Sequence, residues 1–320
     1  MGIVAVDDLV KRFGKLDAVR GVSFDVEEGE IFGFLGPNGA GKTTTINMLC
    51  TLLRPTAGRA LVNGFDVAKE TSAVRRSIGL VFQETTLDDH LSAEDNLRFH
   101  AYAYGISRSV FRERSRELLD LVELWDRRKD KVNRYSGGMK RRLEIARGLL
   151  HCPRVLFLDE PTLGLDPQTR RRVWDYIRDL RQRDNLTIFL TTHYMDEAEV
   201  CDRIGVIDYG RIISLDTPAG LKDEIGGDII TITTEDTAAA VQALRQEYRF
   251  SPQERNGSVT FTVRRGEEFL PEFVRGFPQR LLSVGLRRPT LDDVFLNLTG
   301  HAIREETPRP DAIDPNRGYG

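Results

Sequence analysis

Nine consecutive residues, Gly36-Pro37-Asn38-Gly39-Ala40-Gly41-Lys42-Thr43-Thr44, carry the clearest chemistry in this chain. The G-x-x-x-x-G-K-[ST] spacing suits a nucleotide-phosphate cradle: glycines let backbone N–H groups fold inward, and the following helix adds unpaired N–H groups and its positive dipole end. Lys42 is expected to reach the β- and γ-phosphates and Thr43 to ligate Mg²⁺, with Gly36, Asn38, Gly39, Gly41 and Thr44 completing the loop.

A second group is Asp159-Glu160, directly after the apolar run Val155-Leu156-Phe157-Leu158. Of two carboxylates at a strand end, the first suits Mg²⁺ and the second suits orienting or deprotonating an attacking water. His193 ends a neighbouring apolar run and is placed to hydrogen-bond a γ-phosphate, and Phe13 offers a ring to stack on adenine. Gln83 stands where a strand gives way to a loop. Each of these alone also reads as a solvated turn, a structural histidine, a core aromatic or a loop cap. A phosphate loop in the same chain shifts the balance to chemistry.

The elements that must position these groups follow from hydrophobic spacing. Residues 30–35 form an apolar strand and 43–53 a helix, the context a phosphate loop requires. Residues 4–34 alternate short apolar runs with charged turns and predict antiparallel strands leading into the loop. Residues 78–82, 155–158 and 186–190 are short, unbroken apolar runs of the buried parallel type, and ligands gather at the carboxyl ends of such strands. Between residues 92 and 150 the pattern turns helical, a helical insert spanning about 87–150. It closes on Tyr135-Ser136-Gly137-Gly138-Met139, which opens a second helix whose N-terminus suits an anion. After Gly226-Gly227 the pattern resets to alternating short strands and helices, predicting a domain at 1–225, a small α+β accessory unit at 226–300 and a disordered tail at 301–320.

The composition narrows the partners. Lys plus Arg number 46 and Asp plus Glu 49 in 320 residues, a net charge of −3, which gives no global reason to expect nucleic acid. Cys50, Cys152 and Cys201 lie far apart, fitting buried thiols in a reducing compartment better than a disulfide framework or metal site. No secretion signal and no spanning-length apolar stretch is read, so a membrane role is expected to pass through another protein.

Taken in order over residues 4–221, these motifs resemble the ATP-binding subunit of an ABC transporter. Gly36 to Thr44 resembles the Walker A loop, Gln83 the Q-loop glutamine, Tyr135 to Met139 the signature, Val155 to Glu160 the Walker B strand, Leu163 to Asp166 the D-loop and His193 the switch histidine. Tyr135 and Met139 stand where Leu and Gln are usual, and Phe13 where Tyr is. The signature text with Lys140-Arg141-Arg142, together with residues 289–296, is similar to the daunorubicin-resistance branch of drug exporters.

The resemblance implies an α/β fold: a P-loop NTPase core of ABC ATPase type with an antiparallel β subdomain and a helical insert. It implies a head-to-tail pair of ATP-binding subunits with two ATP molecules held between them and no nucleic-acid partner, in which Ser136, Gly137 and Gly138 of one face the γ-phosphate held by Lys42 of the other. Glu160 is then the base, His193 and Gln83 complete the catalytic set, Asp166 belongs to the nucleotide contacts, and Thr43, Gln83 and Asp159 serve Mg²⁺. A homodimer at the cytoplasmic face of the membrane, working with an integral permease to export a hydrophobic drug, antibiotic or lipid-like molecule, is the expectation. An importer ATPase, or a soluble ATPase acting on ribosomes or DNA, is the alternative.

Overall fold

The computed structural model describes residues 2–255 and 257–300, so the tail expected at 301–320 lies outside the described residues. The chain opens with β1 (Val4–Phe13) and β2 (Leu16–Val26), an antiparallel hairpin, then β3 (Ile31–Leu35), the phosphate loop and α1 (Lys42–Leu49). Next come β4 (Ala57–Val62), β5 (Phe65–Asp66), α2 (Thr71–Ser77) and β6 (Ile78–Val81). The helical insert supplies α3 (Ala93–Ala103), α4 (Arg108–Leu121) and α5 (Gly137–Leu149). The chain continues through β7 (Val155–Asp159), α6 (Pro167–Asp184), β8 (Thr187–Thr192), α7 (Met195–Ala198), β9 (Arg203–Asp208), β10 (Arg211–Asp216) and α8 (Pro218–Asp223).

Two sheets organise this part: a four-stranded sheet ordered β2-β1-β4-β5 and a six-stranded sheet ordered β10-β9-β3-β8-β7-β6. The hairpin pairs antiparallel as the spacing predicts, but β3 does not join it. It leaves for the second sheet, where it pairs parallel with β8 and β9. Unbroken apolarity is the reason: all five residues of β3 are buried, which only an interior strand covered on both faces can satisfy.

Alternate residues of the parallel strands point to two different cores. Phe32, Phe34, Phe157 and Phe189 lie in the core shared with β1 and β2, where the first two and Phe189 meet Phe24 and Phe157 meets Phe189. Ile31, Leu35, Leu156, Leu158, Ile188 and Leu190 face the opposite side, against helices that include Leu143 of α5 and Val173 and Ile177 of α6. α6 went unread in the sequence because it is 18 residues rich in Arg and polar side chains. Its signals were present: Asp166 as N-cap before Pro167, Val173, Trp174, Ile177 and Leu180 at helical spacing, and Asn185 in the left-handed C-cap conformation.

The last described segment contains β11 (Asp228–Thr234), α9 (Thr237–Gln246), β12 (Gln253–Arg255), β13 (Ser258–Val263), α10 (Gly266–Gly276), β14 (Leu281–Arg287) and α11 (Leu291–Thr299). Its strands form an antiparallel sheet ordered β12-β13-β11-β14 over a core of its own that includes Ile230, Phe261 and Phe273. α11 behaves differently. A capping box between Thr290 and Asp293 starts it, and Leu291, Val294 and Phe295 then pack in the core that also holds Ala198 and Leu221. No helix among the described residues is long and apolar enough to cross a membrane.

Candidate active site

β3, β7 and β8 run parallel with Leu35 opposite Thr192 and Asp159 opposite Thr191. The phosphate loop, the carboxylate pair and His193 therefore leave the sheet at adjacent carboxyl ends. Gly41 caps α1 in a left-handed conformation (φ 106°), and a Cβ there would meet the Ala18 carbonyl oxygen at 2.6 Å, so the loop admits only glycine. Asn38, Gly39 and Thr43 are exposed along the loop, and Thr44 is half-buried in the first turn of α1.

Lys42 is buried, its Nζ donating to the carbonyls of Gly36 (2.7 Å) and Pro37 (3.1 Å) and lying 3.4 Å from Glu160 Oε1. Burial pushes its pKa down, and the neighbouring carboxylates of Glu160 and Asp159 oppose that shift. The Thr43 hydroxyl donates to Asp159 Oδ1 at 3.2 Å and the Thr191 hydroxyl to the same oxygen at 2.5 Å. Burial raises the Asp159 carboxyl above its usual range against these two hydrogen bonds.

Glu160 is the centre of the cluster. Its Oε1 lies 3.3 Å from His193 Nδ1 and 3.4 Å from Lys42 Nζ, and its Oε2 accepts from the Gln83 amide at 3.5 Å. The His193 approach is an electrostatic contact without hydrogen-bond alignment. Burial works to raise the Glu160 carboxyl, but His193 and Lys42 together outweigh it and hold the group below its usual range. The backbone here is unusual: Glu160 has φ 46°, a left-handed conformation in a non-glycine residue, pinned by its N–H to the hydroxyl (3.1 Å) and carbonyl (3.2 Å) of Thr191. Such strain persists only where surrounding contacts enforce it, and functional sites are where it concentrates.

The structure thus brings Lys42, Thr43, Gln83, Asp159, Glu160 and His193 into contact. Phe13, at the tip of the β1–β2 hairpin, is 45% exposed under Lys11 Nζ and lies outside that cluster. Asp166 is engaged in capping α6, accepting from the N–H groups of Gln168 and Thr169 and from the Thr169 hydroxyl at 2.6 Å. Those bonds, the Thr169 hydroxyl first, hold its carboxyl below the usual range. Ser136 caps α5 by accepting the Met139 N–H at 3.3 Å. Ser136 and Gly137 are exposed, and Gly138 is pressed so closely on Thr169 that a Cβ would come within 2.3 Å of its methyl group. This helix end faces outward, and its hydrogen bonds do not reach the Lys42 cluster of the same chain.

Sequence reasoning missed Thr191, Arg141 and Glu197. Glu197 is fully buried, accepting from the Thr162 hydroxyl through Oε1 and from the Thr192 hydroxyl through Oε2 at 2.6 Å. It joins the loop after Glu160 to the strand end before His193. The only sequence signal is its position four residues beyond His193. Replacing Glu197 with Ala leaves the Thr162 and Thr192 hydroxyl protons without their acceptors beside a cavity and is expected to cost about 3 kcal/mol, read as a lower urea midpoint at unchanged slope.

Burial also raises the Glu197 carboxyl above its usual range, so its contribution to stability is fully present below the unfolded pKa of about 4.3 and is lost as pH rises through the folded value. In Glu197→Gln that pH-dependent component is expected to vanish.

The family model described as "ABC transporter" matches residues 19–163. A daunorubicin resistance ATP-binding protein of Streptomyces coeruleorubidus is 41% identical over 93% of this chain and 95% of its own length. The chain belongs to the ABC transporter ATP-binding proteins. A Nod factor export ATP-binding protein I of Burkholderia orbicola is 40% identical, covering 95% of this chain and 100% of its own. Among solved structures, a dimeric post-hydrolysis ATP-binding cassette bound to ADP and phosphate matches with a TM-score of 0.61 and 29% identity, over 67% of this chain and 98% of that one. This ABC ATP-binding protein is therefore an ATPase, and its two-sheet core is the ABC ATPase fold that the motifs implied.

Proposed function

We propose that this ATPase drives export of a hydrophobic, drug-like or lipid-like molecule through a separate integral permease, as one of two identical subunits at the cytoplasmic face of the membrane. The observation that carries it is the contact cluster around Glu160, in which a buried ionised carboxylate lies 3.3 Å from His193 and 3.4 Å from the phosphate-loop lysine. Full-length likeness to drug-resistance and Nod factor export proteins supports export over import.

In this scheme Glu160, kept ionised by its neighbours, accepts a proton from the attacking water, while Lys42 and His193 hold γ-phosphate oxygens. Thr43 and Asp159, already in oxygen–oxygen contact, together with Gln83, whose amide nitrogen reaches Glu160, would form the hard-donor set that Mg²⁺ prefers. The ion supplies charge neutralisation on the phosphates. The exposed N-terminus of α5 at Ser136–Gly138 provides donors to ATP held by the other subunit, because one helix end cannot surround a triphosphate. Phe13 stacks on the adenine, and Asp166 places the loop that follows Glu160 at the same interface.

Inside-out vesicles carrying this protein and the permease that co-purifies with it are the test. ATP-dependent accumulation of daunorubicin or a lipid-like dye, absent without the permease, is expected. ATP-driven movement in the opposite direction, or recovery of ribosomes or DNA in place of a permease, overturns the proposal.

A further inference from the structure

Arg141 joins three segments of this site: α5, the loop after β6 and the loop after β7. It lies in the second turn of α5, the helix opened by Ser136, and is only 6% exposed. Its guanidinium donates through Nε to the Pro161 carbonyl (2.5 Å) and through Nη2 to the carbonyls of Asp159 (3.0 Å) and Glu160 (3.2 Å). Through Nη1 it donates to the Phe82 carbonyl, the residue before Gln83, and to Glu144 Oε2 at 3.2 Å. Glu144 is itself buried, and its Oε1 accepts the Thr86 N–H at 2.8 Å. One planar fork therefore fastens the loop after β7 and the loop after β6 to the body of α5.

A buried cation is an expensive way to fill space, since an apolar side chain packs there at less cost. What the guanidinium does that an apolar group cannot is hold three successive carbonyls around the strained φ of Glu160 through Nε and Nη2 and, through Nη1 of the same rigid plane, the backbone beside Gln83. A small shift of α5 then moves the base and the glutamine together, because packed, hydrogen-bonded elements transmit displacement instead of absorbing it.

We propose that Arg141, seconded by Glu144, is a positioning residue that couples the two nucleotide sites of the dimer: it ties the helix end that completes one site to the Glu160 and Gln83 loops of the other. This rests on the head-to-tail arrangement proposed above. When Ser136–Gly138 engage ATP on the second subunit, the pull on α5 is delivered through the guanidinium to the carboxylate that must act on the subunit's own ATP.

The test uses the full-length chain and steady-state ATPase measured against MgATP. Arg141→Lys keeps the charge and loses the fork. Its kcat is expected to fall about tenfold and its Hill coefficient to drop from about two to about one, with affinity for a fluorescent ATP analogue within about twofold of wild type. Glu144→Gln, the gentler change, is expected to show the same loss of cooperativity with a smaller loss of kcat, and it carries the test should Arg141→Lys fail to fold. A purely structural anchor would instead lower thermal stability and the active fraction while leaving the Hill coefficient intact, and that result overturns the inference. Glu160→Gln run on gel filtration with ATP separates the two levels. If it dimerises and wild type is cooperative while both variants stay cooperative, the coupling role alone is wrong. If it stays monomeric, or wild type shows no cooperativity, the head-to-tail reading falls and takes the coupling role with it.

Discussion

Glu160→Gln is expected to lower ATP turnover about 10³-fold while nucleotide binding persists, the scale of a lost general base. The amide is isosteric with the carboxylate and can still meet Gln83 and Lys42, so the pocket keeps its shape while losing its proton acceptor. With hydrolysis blocked, ATP should hold two subunits together, and gel filtration with and without ATP reads that directly. Undiminished turnover in this variant would remove Glu160 from the role assigned to it.

The electrostatics add a pH expectation. Because His193 and Lys42 hold the Glu160 carboxyl below its usual range despite burial, its stabilising contribution is present above the unfolded pKa of about 4.3 and is lost as pH falls through the folded value. Turnover should therefore show no acid limb from this group between about pH 6 and 8, a region in which a carboxylate with a depressed pKa stays ionised. A carboxylate-dependent loss of kcat near neutrality, abolished in no other variant, would contradict the contacts seen here.

The second large effect falls on stability. Phe189 is fully buried in β8, with ring centroids 5.4 Å from Phe32 and Phe157 and 5.8 Å from Phe24 and Phe34. Truncating it to Ala opens a cavity at the junction of both sheets and is expected to cost about 4 kcal/mol, whereas Phe189→Leu should cost about 1–2 kcal/mol. Urea unfolding checks both, and a midpoint for the Ala variant within error of wild type would mean the aromatic cluster does not hold the sheets together. The same strand ends in Thr191, Thr192 and His193, so loss of β8 packing should also loosen the grip on Asp159, Glu160 and Glu197.

Much of this was legible because local chemistry leaves local marks. The phosphate loop, the apolar strands ending in Asp159-Glu160 and His193, and the helix opened by Ser136 are each written in residues a few positions apart. They were enough to name the fold and the ATPase class, which the relatives and the two-sheet core bear out. α6 was readable too, through its cap and apolar spacing, but its many arginines hid it. The departure of β3 from its neighbours was less accessible, since alternation and apolarity report how a strand is buried and not which sheet it joins.

The sequence by itself determined which chemical groups exist and in what order they meet the sheet. Only the tertiary structure decided which of them act on one another. Lys140, Arg141 and Arg142 are indistinguishable as text, yet Lys140 pairs with Asp89, Arg142 reaches the Val122 carbonyl, and Arg141 alone is buried against the carbonyls of the catalytic loop. Glu197 finds Thr162, 35 positions away, and Phe295 of α11 joins the core of Leu221 and not that of β11 and β13. The physical reason is common to all three: a buried charge or an apolar helix face must be satisfied by partners distant in sequence, and those partners exist only once the chain has folded.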